Sequence, residues 1–119
     1  MSIYNAKIIN TRLGEEHGCF TIELFLEGEG WVCCYGGYCL DHWFAGVGEH
    51  ESTDGYGAII ELMKTFDVES WEEVEGQCVR VEVEHWGEPI TKIGHLIKDK
   101  WFSFEEYFRE ARNKHENSL

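Results

Sequence analysis

Strict period-two alternation in two segments is the feature that most constrains the fold of this chain. FTIELFLE (residues 20–27) has apolar side chains at every second position from Phe20 to Leu26, and CVRVEVE (residues 78–84) repeats the pattern with valines. Because successive side chains of a strand point to opposite faces of a sheet, such segments bury one face and expose the other. The alternation therefore predicts two half-buried β-strands with charged residues on their outer face.

Three further segments extend the predicted sheet. AKIINTRL (residues 6–13) alternates weakly, WVCCYGGYCL (31–40) follows a turn at 28–30, and ITKIGHLI (90–97) follows a turn at 85–88. Glycine and polar residues in short connections favour hairpins between consecutive strands. We expect three strands in the first part of the chain and two more after an interruption.

The interruption has a helical period. Apolar residues recur there at the spacing i, i+3, i+4 and i+7, which places them on one side of a helix. They are Ile59, Leu62, Met63 and Phe66. Thr53 or Asp54 is the candidate N-cap. This segment predicts an amphipathic helix that packs on the sheet.

Two capping-box patterns mark further helix starts. Ser70 precedes Glu73 by three residues, and Ser103 precedes Glu106 by the same spacing. In this motif the serine and the glutamate each satisfy a backbone N–H group of the first helical turn. We expect one short helical turn after Ser70, a C-terminal helix after Ser103, and a polar tail from about residue 114.

The order of these elements is β-β-β-α-β-β-α, which predicts an α+β fold. Two architectures fit this order: an open antiparallel five-stranded sheet with helices on one face, and a partly open barrel of the oligonucleotide-binding type. A chain of 119 residues has the size of one domain, so we expect a single domain over residues 1–119.

Charge is the strongest compositional feature, with 23 acidic and 10 basic residues and a net charge of -13. Residues 13–63 contain ten carboxylates and no lysine or arginine, so direct DNA binding is disfavoured there. An acidic surface of this kind attracts basic partners and imitates nucleic acid. The predicted protein-binding surface comprises Glu23, Glu27, Glu29, Asp41, Glu49, Glu51 and Asp54.

The segment 31–43, WVCCYGGYCLDHW, contains the chemistry-bearing residue types that most need an explanation. Cys33, Cys34, Cys39 and His42 are soft ligands, but they lack a Cys-x-x-Cys pair. Neighbouring cysteines on a strand also point to opposite faces. We therefore expect free thiols and neither a metal nor another cofactor. No hydrolase, metalloprotease or phosphate-binding motif is present, so no catalytic residue is predicted.

Glycine and aromatic residues in the same region suggest a ligand pocket as an alternative. A glycine pair inside a strand leaves room for a ligand, a bulge or a closely packed backbone. Rings near such a gap stack on a base, and lysines nearby hold phosphate. The candidate pocket for a nucleotide messenger comprises Tyr35, Gly36, Gly37, Tyr38, Lys98, Lys100 and Trp101. The competing interpretation is that these rings are ordinary core residues.

Neither a membrane span nor an export signal is recognisable. The apolar runs are far shorter than the roughly 20 residues that cross a bilayer, and the N-terminus lacks a basic flank before an apolar stretch. We expect a protein of the cytoplasm with no membrane partner.

Several segments together resemble a family of small, mostly uncharacterised proteins encoded by bacteriophages and prophages. These segments are GGYCLD (36–41), GYGAI (55–59), SWEE (70–73) and KDKWF (98–102). The chain departs from that family in having cysteines at positions 33, 34 and 39. The resemblance implies a phage accessory protein that acts in the host cytoplasm.

This origin leads to three functional hypotheses. The first is a non-enzymatic inhibitor that binds a host anti-phage defence protein, for example a nucleic-acid-binding one, through its acidic surface. The second is sequestration of a nucleotide signalling molecule in the aromatic and glycine pocket. The third is a nucleic-acid-binding module in phage replication, which the element order favours and the charge disfavours.

Overall fold

The computed structural model describes residues 1–44, 49–51 and 54–117, with the backbone alone for 42–44, 49–51 and 115–117. These residues form eight strands, two α-helices and one short 3-10 helix. In chain order the elements are β1 (Ser2–Glu16), β2 (Cys19–Gly28), β3 (Trp31–Cys39), β4 (His42–Phe44), β5 (Glu49–Glu51), α1 (Asp54–Thr65), the 3-10 helix (Trp71–Glu73), β6 (Cys78–Val83), β7 (Ile90–His95), β8 (Trp101–Phe102) and α2 (Phe104–Asn117).

Six strands form one antiparallel sheet in the order β3-β2-β1-β6-β7-β8, and β4 and β5 form a separate two-stranded ribbon. The expected α+β class and antiparallel pairing are confirmed. The expected number of strands and element order are wrong, because β8 joins the sheet and the ribbon precedes α1. Within the described residues the sheet is open, since β3 and β8 are its two edges, so a closed barrel does not form.

Strand β1 is the centre of the sheet and divides its length between two partners. Its first part pairs with β6, from Ser2 opposite Val83 to Lys7 opposite Cys78. The remainder pairs with β2 as far as Glu16. The register between β1 and β2 shifts between Ile8 and Asn10, which marks a bulge in β1. Ala6 and Ile8 before the bulge are buried, whereas Leu13 beyond it keeps 36% of its surface exposed.

The helices cover one face of the sheet. Ile22, Leu24 and Leu26 of β2 and the valines of β6 are buried, as their alternation predicts. Phe20 departs from that prediction, because 38% of its surface remains exposed near the end of β2. Ala58 and Leu62 of α1 and Phe66, just after its end, complete the core together with the fully buried Phe104 in the first turn of α2.

Phe104 lies between the two edges of the sheet. Its ring centroid is 5.2 Å from that of Tyr35 in β3 and 4.9 Å from that of Phe102 in β8. Six flat strands about 4.8 Å apart would separate their edges by roughly 24 Å. One residue reaches both edges only because the sheet is strongly curled, and α2 begins in the gap that strand pairing leaves open.

Side chains cap the helices largely as the serine spacing predicts. The Ser103 hydroxyl accepts a hydrogen bond from the Glu106 N–H at 3.2 Å, which confirms the start of α2. The Glu73 carboxylate accepts from the N–H groups of Ser70 and Glu69 at 2.9 and 2.7 Å, and these bonds lower its pKa. Asp54 is the first residue of α1, and Thr53 lies outside the described residues.

Candidate functional site

Glu23 and Glu27, two carboxylates of the predicted acidic surface, lie on the outer face of β2 opposite basic residues of β1. Glu23 is the register partner of Arg12, and Glu27 is the register partner of Lys7. Side chains directly opposite each other in an antiparallel pair are neighbours, so each carboxylate has a cation beside it. The run of acidic residues from 13 to 63 therefore does not create a uniformly acidic face on this part of the sheet.

The other predicted acidic residues are dispersed. Asp41 is half-buried, and its Oδ1 accepts from the Phe20 N–H at 3.0 Å and from the Cys39 thiol at 3.4 Å. Asp54 begins α1. Glu29 is exposed in the turn between β2 and β3. The side chains of Glu49 and Glu51 lie outside the described part of the structure. Through the two hydrogen bonds that its carboxylate accepts, Asp41 links the end of β3 to the start of β2.

The tyrosines of the predicted pocket belong to the core and its margin. Tyr35 is 4% exposed, and its hydroxyl accepts a hydrogen bond from the Phe104 N–H at 3.0 Å. Tyr38 stacks on Phe104 and Phe108 at centroid distances of 5.2 and 5.9 Å. Burial raises the pKa of both phenols, because it disfavours the phenolate. Both rings hold α2 on β3.

The glycine pair forms a bulge in β3. The register between β2 and β3 shifts between Ile22 and Glu23, opposite Gly36. A Cβ atom at Gly36 would lie 2.3 Å from the Ile22 carbonyl oxygen, so backbone fills the space beside it. Gly37 has open space on its side, and both glycines have positive φ angles, +128° and +83°. The conformation of the bulge explains why glycine occupies these positions.

The lysines and the tryptophan assigned to the same pocket lie elsewhere. Lys98 Nζ donates to Asp67 Oδ2 at 2.7 Å, and Lys100 Nζ binds the other oxygen of that carboxylate. Trp101 is on the outer face of the sheet, where the Arg80 guanidinium carbon lies 4.7 Å from its ring centroid. Tyr35 faces the helices. The structure thus places Trp101 and Tyr35 on opposite faces of the sheet.

Asp67 organises a polar cluster between the end of α1 and the loop before β8. Its hydrogen bonds from Lys100 and Lys98 lower the pKa of its carboxyl to about 2. His95 Nε2 lies 3.4 Å from the same carboxylate, and His95 Nδ1 accepts from the N–H groups of Ile97 and Lys98. His95, Lys98 and Lys100 hold the loop before β8 to the Asp67 carboxylate, which follows the end of α1. The cluster therefore anchors this loop.

A concave aromatic site lies at the opposite end of the sheet and was missed by the sequence analysis. It is formed by Tyr4, Trp31 and Trp86, which we call the aromatic recess. Their ring centroids are 6.4 Å apart for Tyr4–Trp31, 5.3 Å for Tyr4–Trp86 and 6.4 Å for Trp31–Trp86. The ring planes meet at 74°, 62° and 81°. Three steeply inclined rings therefore line a single recess.

The local backbone fixes each ring. Trp31 lies against Gly28, where a Cβ atom would come within 2.0 Å of the indole. Trp86 belongs to a turn closed by the Glu88 N–H and the His85 carbonyl at 3.0 Å, with Gly87 at φ +91°. A positive φ at the third turn position is typical of type II turns, which favour glycine there. The only sequence signal for the recess is a tryptophan beside each of these two turns.

The recess has a volume of about 280 Å³. Its walls also include Val81, Ile90, Cys33 and Glu88, and none of the described lining residues is a lysine or arginine. Partial burial, followed by the proximity of Cys34, raises the pKa of the Cys33 thiol. A raised thiol pKa disfavours the reactive thiolate form of Cys33.

Carboxylates surround this end of the sheet, which we call the acidic end. It comprises Glu27, Glu29, Glu84 and Glu88, all exposed and none in an ion pair with another described residue. The strand ends and turns that build it, residues 1–6, 27–32 and 83–90, contain no lysine or arginine. Lys7, opposite Glu27, is the first base along β1. The acidic end is therefore a local concentration of negative charge around an apolar opening.

The cysteines are scattered. Cys33, Cys34 and Cys78 are exposed, while Cys19 and Cys39 are partly buried. Among the residues with described side chains, no group of three or more His, Cys, Asp or Glu is placed to hold a metal ion. His42 lies outside that set. The expectation of free thiols without metal stays a prediction.

A search of the described helices finds none that is both long and apolar enough to span a membrane. No protein-family model matches the chain, and no match is found among the curated proteins or the solved structures.

Proposed function

We propose that this protein is a non-enzymatic binding protein that docks a basic protein partner on its acidic end. The observation that carries this proposal is the separation of charge along the sheet. The acidic end has four exposed carboxylates, none of them in an ion pair with another described residue, and its three building segments contain no lysine or arginine. Such a concentration of one sign accelerates the approach of an oppositely charged surface.

The acidic end supports docking better than the outer face of β2 does. On the outer face, Glu23 lies opposite Arg12. Glu27, which belongs to both surfaces, lies opposite Lys7 and adds least to the charge of the acidic end. Further along that face, Lys92 lies 3.8 Å from Glu82. Neighbouring charges of opposite sign cancel beyond a few ångströms, particularly at physiological salt. The field that reaches a partner therefore comes mainly from the acidic end.

The resemblance to bacteriophage proteins leads to a more specific proposal about the partner. The protein would inhibit a host anti-phage defence protein by occluding it in the host cytoplasm. A defence protein that binds nucleic acid has a basic surface, and carboxylates arrayed on a rigid sheet end would imitate phosphates there.

The geometry gives less support to capture of a nucleotide messenger. Lys98 and Lys100 would have to hold the phosphates, yet both bind Asp67. The rings proposed to stack on the base lie on opposite faces of the sheet, and the aromatic recess has no basic side chain in its lining. A phosphate group near the acidic end would be repelled.

The test is a pair of charge-reversed variants. Glu29→Lys with Glu84→Lys changes the acidic end, and Glu72→Lys with Glu75→Lys makes the same change in net charge at exposed positions near the 3-10 helix. Each tagged variant, after circular dichroism has verified its fold, is used to co-purify partners from defence-bearing bacteria. We expect the first pair to lose a partner that the wild type and the second pair retain.

Salt dependence provides the second readout. The association rate of the recovered partner should fall as salt rises, and the slope should be smaller for the Glu29→Lys, Glu84→Lys protein. The acidic end is not the docking surface if both variant pairs recover the partner equally well. The same conclusion follows if the association rate does not change with salt concentration.

A further inference from the structure

We propose that the aromatic recess binds the quaternary ammonium group of a small organic cation. This inference goes beyond docking of a protein partner and does not rest on it. Its basis is the arrangement of Tyr4, Trp31 and Trp86 as three inclined walls, the presence of the acidic residue Glu88 in the lining, and the absence of lysine and arginine from the described lining residues.

The spacing of the rings suits a cation. The ring centroids lie 5.3–6.4 Å from one another, so one group bound in the recess can contact more than one ring. A ring quadrupole attracts a positive charge within about 6 Å of its centroid. Tryptophan is the ring that attracts cations most strongly, and two of the three walls are tryptophans.

The chemistry of the walls distinguishes a quaternary ammonium from a primary one. A primary ammonium has three N–H donors that need acceptors, whereas a quaternary ammonium has none. The lining includes the apolar residues Val81 and Ile90 and one acidic residue, Glu88. Methyl groups contact such surface without leaving donors unsatisfied, and the carboxylate balances the charge.

The size of the recess indicates a small solute. Its volume of about 280 Å³ lies just below the range of roughly 300–1,000 Å³ typical of pockets for drug-sized ligands. Trp86 is 65% exposed, although its turn holds the ring beside Tyr4 and Trp31. A bound trimethylammonium group would cover apolar ring surface that now faces water.

The experiment compares choline with its uncharged isostere, 3,3-dimethylbutan-1-ol, by isothermal titration calorimetry on the purified protein. The two solutes have the same shape and differ in charge. We expect choline to bind with a dissociation constant on the order of 1 mM or below, and at least about tenfold more tightly than the isostere. Proton NMR should show the choline methyl resonance shifted upfield by the ring faces.

Variants locate the site. Trp86→Ala should weaken choline binding about tenfold, Trp86→Phe should retain part of the affinity, and Glu88→Gln should weaken it several-fold. Tyr56→Ala is the matched control, because Tyr56 is another exposed ring that does not line the recess. It should bind choline like the wild type.

Three results would overturn the proposal. Equal affinity for choline and its isostere would make the recess a simple apolar slot. Undetectable choline binding would exclude a quaternary ammonium site. Unchanged affinity in folded Trp86→Ala would place binding elsewhere. The experiment needs no protein partner, so its outcome is independent of whether the acidic end docks one.

Discussion

The Tyr35 hydroxyl accepts a hydrogen bond from the backbone N–H of Phe104 at 3.0 Å, which joins an edge strand to a helix 69 residues away. The first N–H groups of a helix have no partner within the helix, and a buried one needs an acceptor. Phe104 is fully buried, so water does not fill that role. One phenol therefore satisfies the start of α2 and keeps α2 on the curled sheet.

Replacing Tyr35 by phenylalanine should destabilise the protein without changing its fold. The ring would keep its packing against Phe104, but the Phe104 N–H would lose its acceptor. An unsatisfied buried donor costs about 1–3 kcal/mol of the free energy of unfolding. Urea denaturation followed by circular dichroism measures this loss. Tyr56→Phe, at an exposed ring of α1, is the control and should leave the midpoint unchanged.

The glycine pair offers a second test. Gly36→Ala should destabilise the protein more than Gly37→Ala, although both positions have positive φ. Each alanine incurs a conformational cost of roughly 1–2 kcal/mol. The Gly36 Cβ would also collide with the Ile22 carbonyl, which adds about 1–3 kcal/mol, while Gly37 faces open space. Thermal unfolding of both variants shows which one loses more stability. Equal losses of stability would contradict the proposed role of the bulge.

Much of the fold could be predicted because its signals are local. The alternation of 20–27 and 78–84 correctly places their buried aliphatic residues, and Ser103 marks the start of α2. The exceptions are Phe20, which is exposed, and Thr21 and Glu82, which are buried. Strand β8 could not be predicted in this way. It has two residues, too few for a period, and it is a strand only because Ile93 and Gly94 of β7 pair with it.

The recess depends on positions that are distant in the sequence. Tyr4 of β1 lies opposite Val81 of β6, and Trp31 of β3 lies opposite Gly28 of β2. The register of two strand pairs therefore brings these rings to the same end of the sheet as the turn of Trp86. Composition alone groups Tyr35 with Trp101, but strand alternation and pairing place them on opposite faces of the sheet.

The thiols should react in two groups. Cys33, Cys34 and Cys78 are exposed and should be modified by a disulfide reagent before Cys19 and Cys39. Cys33 should be slower than Cys34, because burial and the neighbouring thiol raise its pKa. The modification rates of wild type, Cys33→Ser and Cys34→Ser show which thiol reacts in each kinetic phase. The protein is prepared under reducing conditions, and its thiols are counted after denaturation. A count below five, or about one zinc per chain by elemental analysis, would contradict the expected free thiols.

Asp67 should make stability depend on pH in the acid range. Its folded-state pKa, lowered to about 2 by Lys100 and Lys98, is below the unfolded value of about 3.9. A depressed carboxyl pKa stabilises the folded protein above the unfolded pKa, and this contribution is lost as pH falls from about 4 towards 2. Asp67→Asn removes it and retains a residue that tolerates the φ of +57° at this position.

The corresponding measurement is the urea midpoint of wild type and Asp67→Asn from pH 7 to pH 3. Their difference should be largest above pH 5 and should shrink steadily below pH 4, and high salt should reduce it at neutral pH because the carboxylate is exposed. Glu72→Gln removes an exposed carboxylate without an ion pair and should give a curve parallel to the wild type. If the two substitutions gave the same pH profile, the cluster around Asp67 would not anchor the loop before β8.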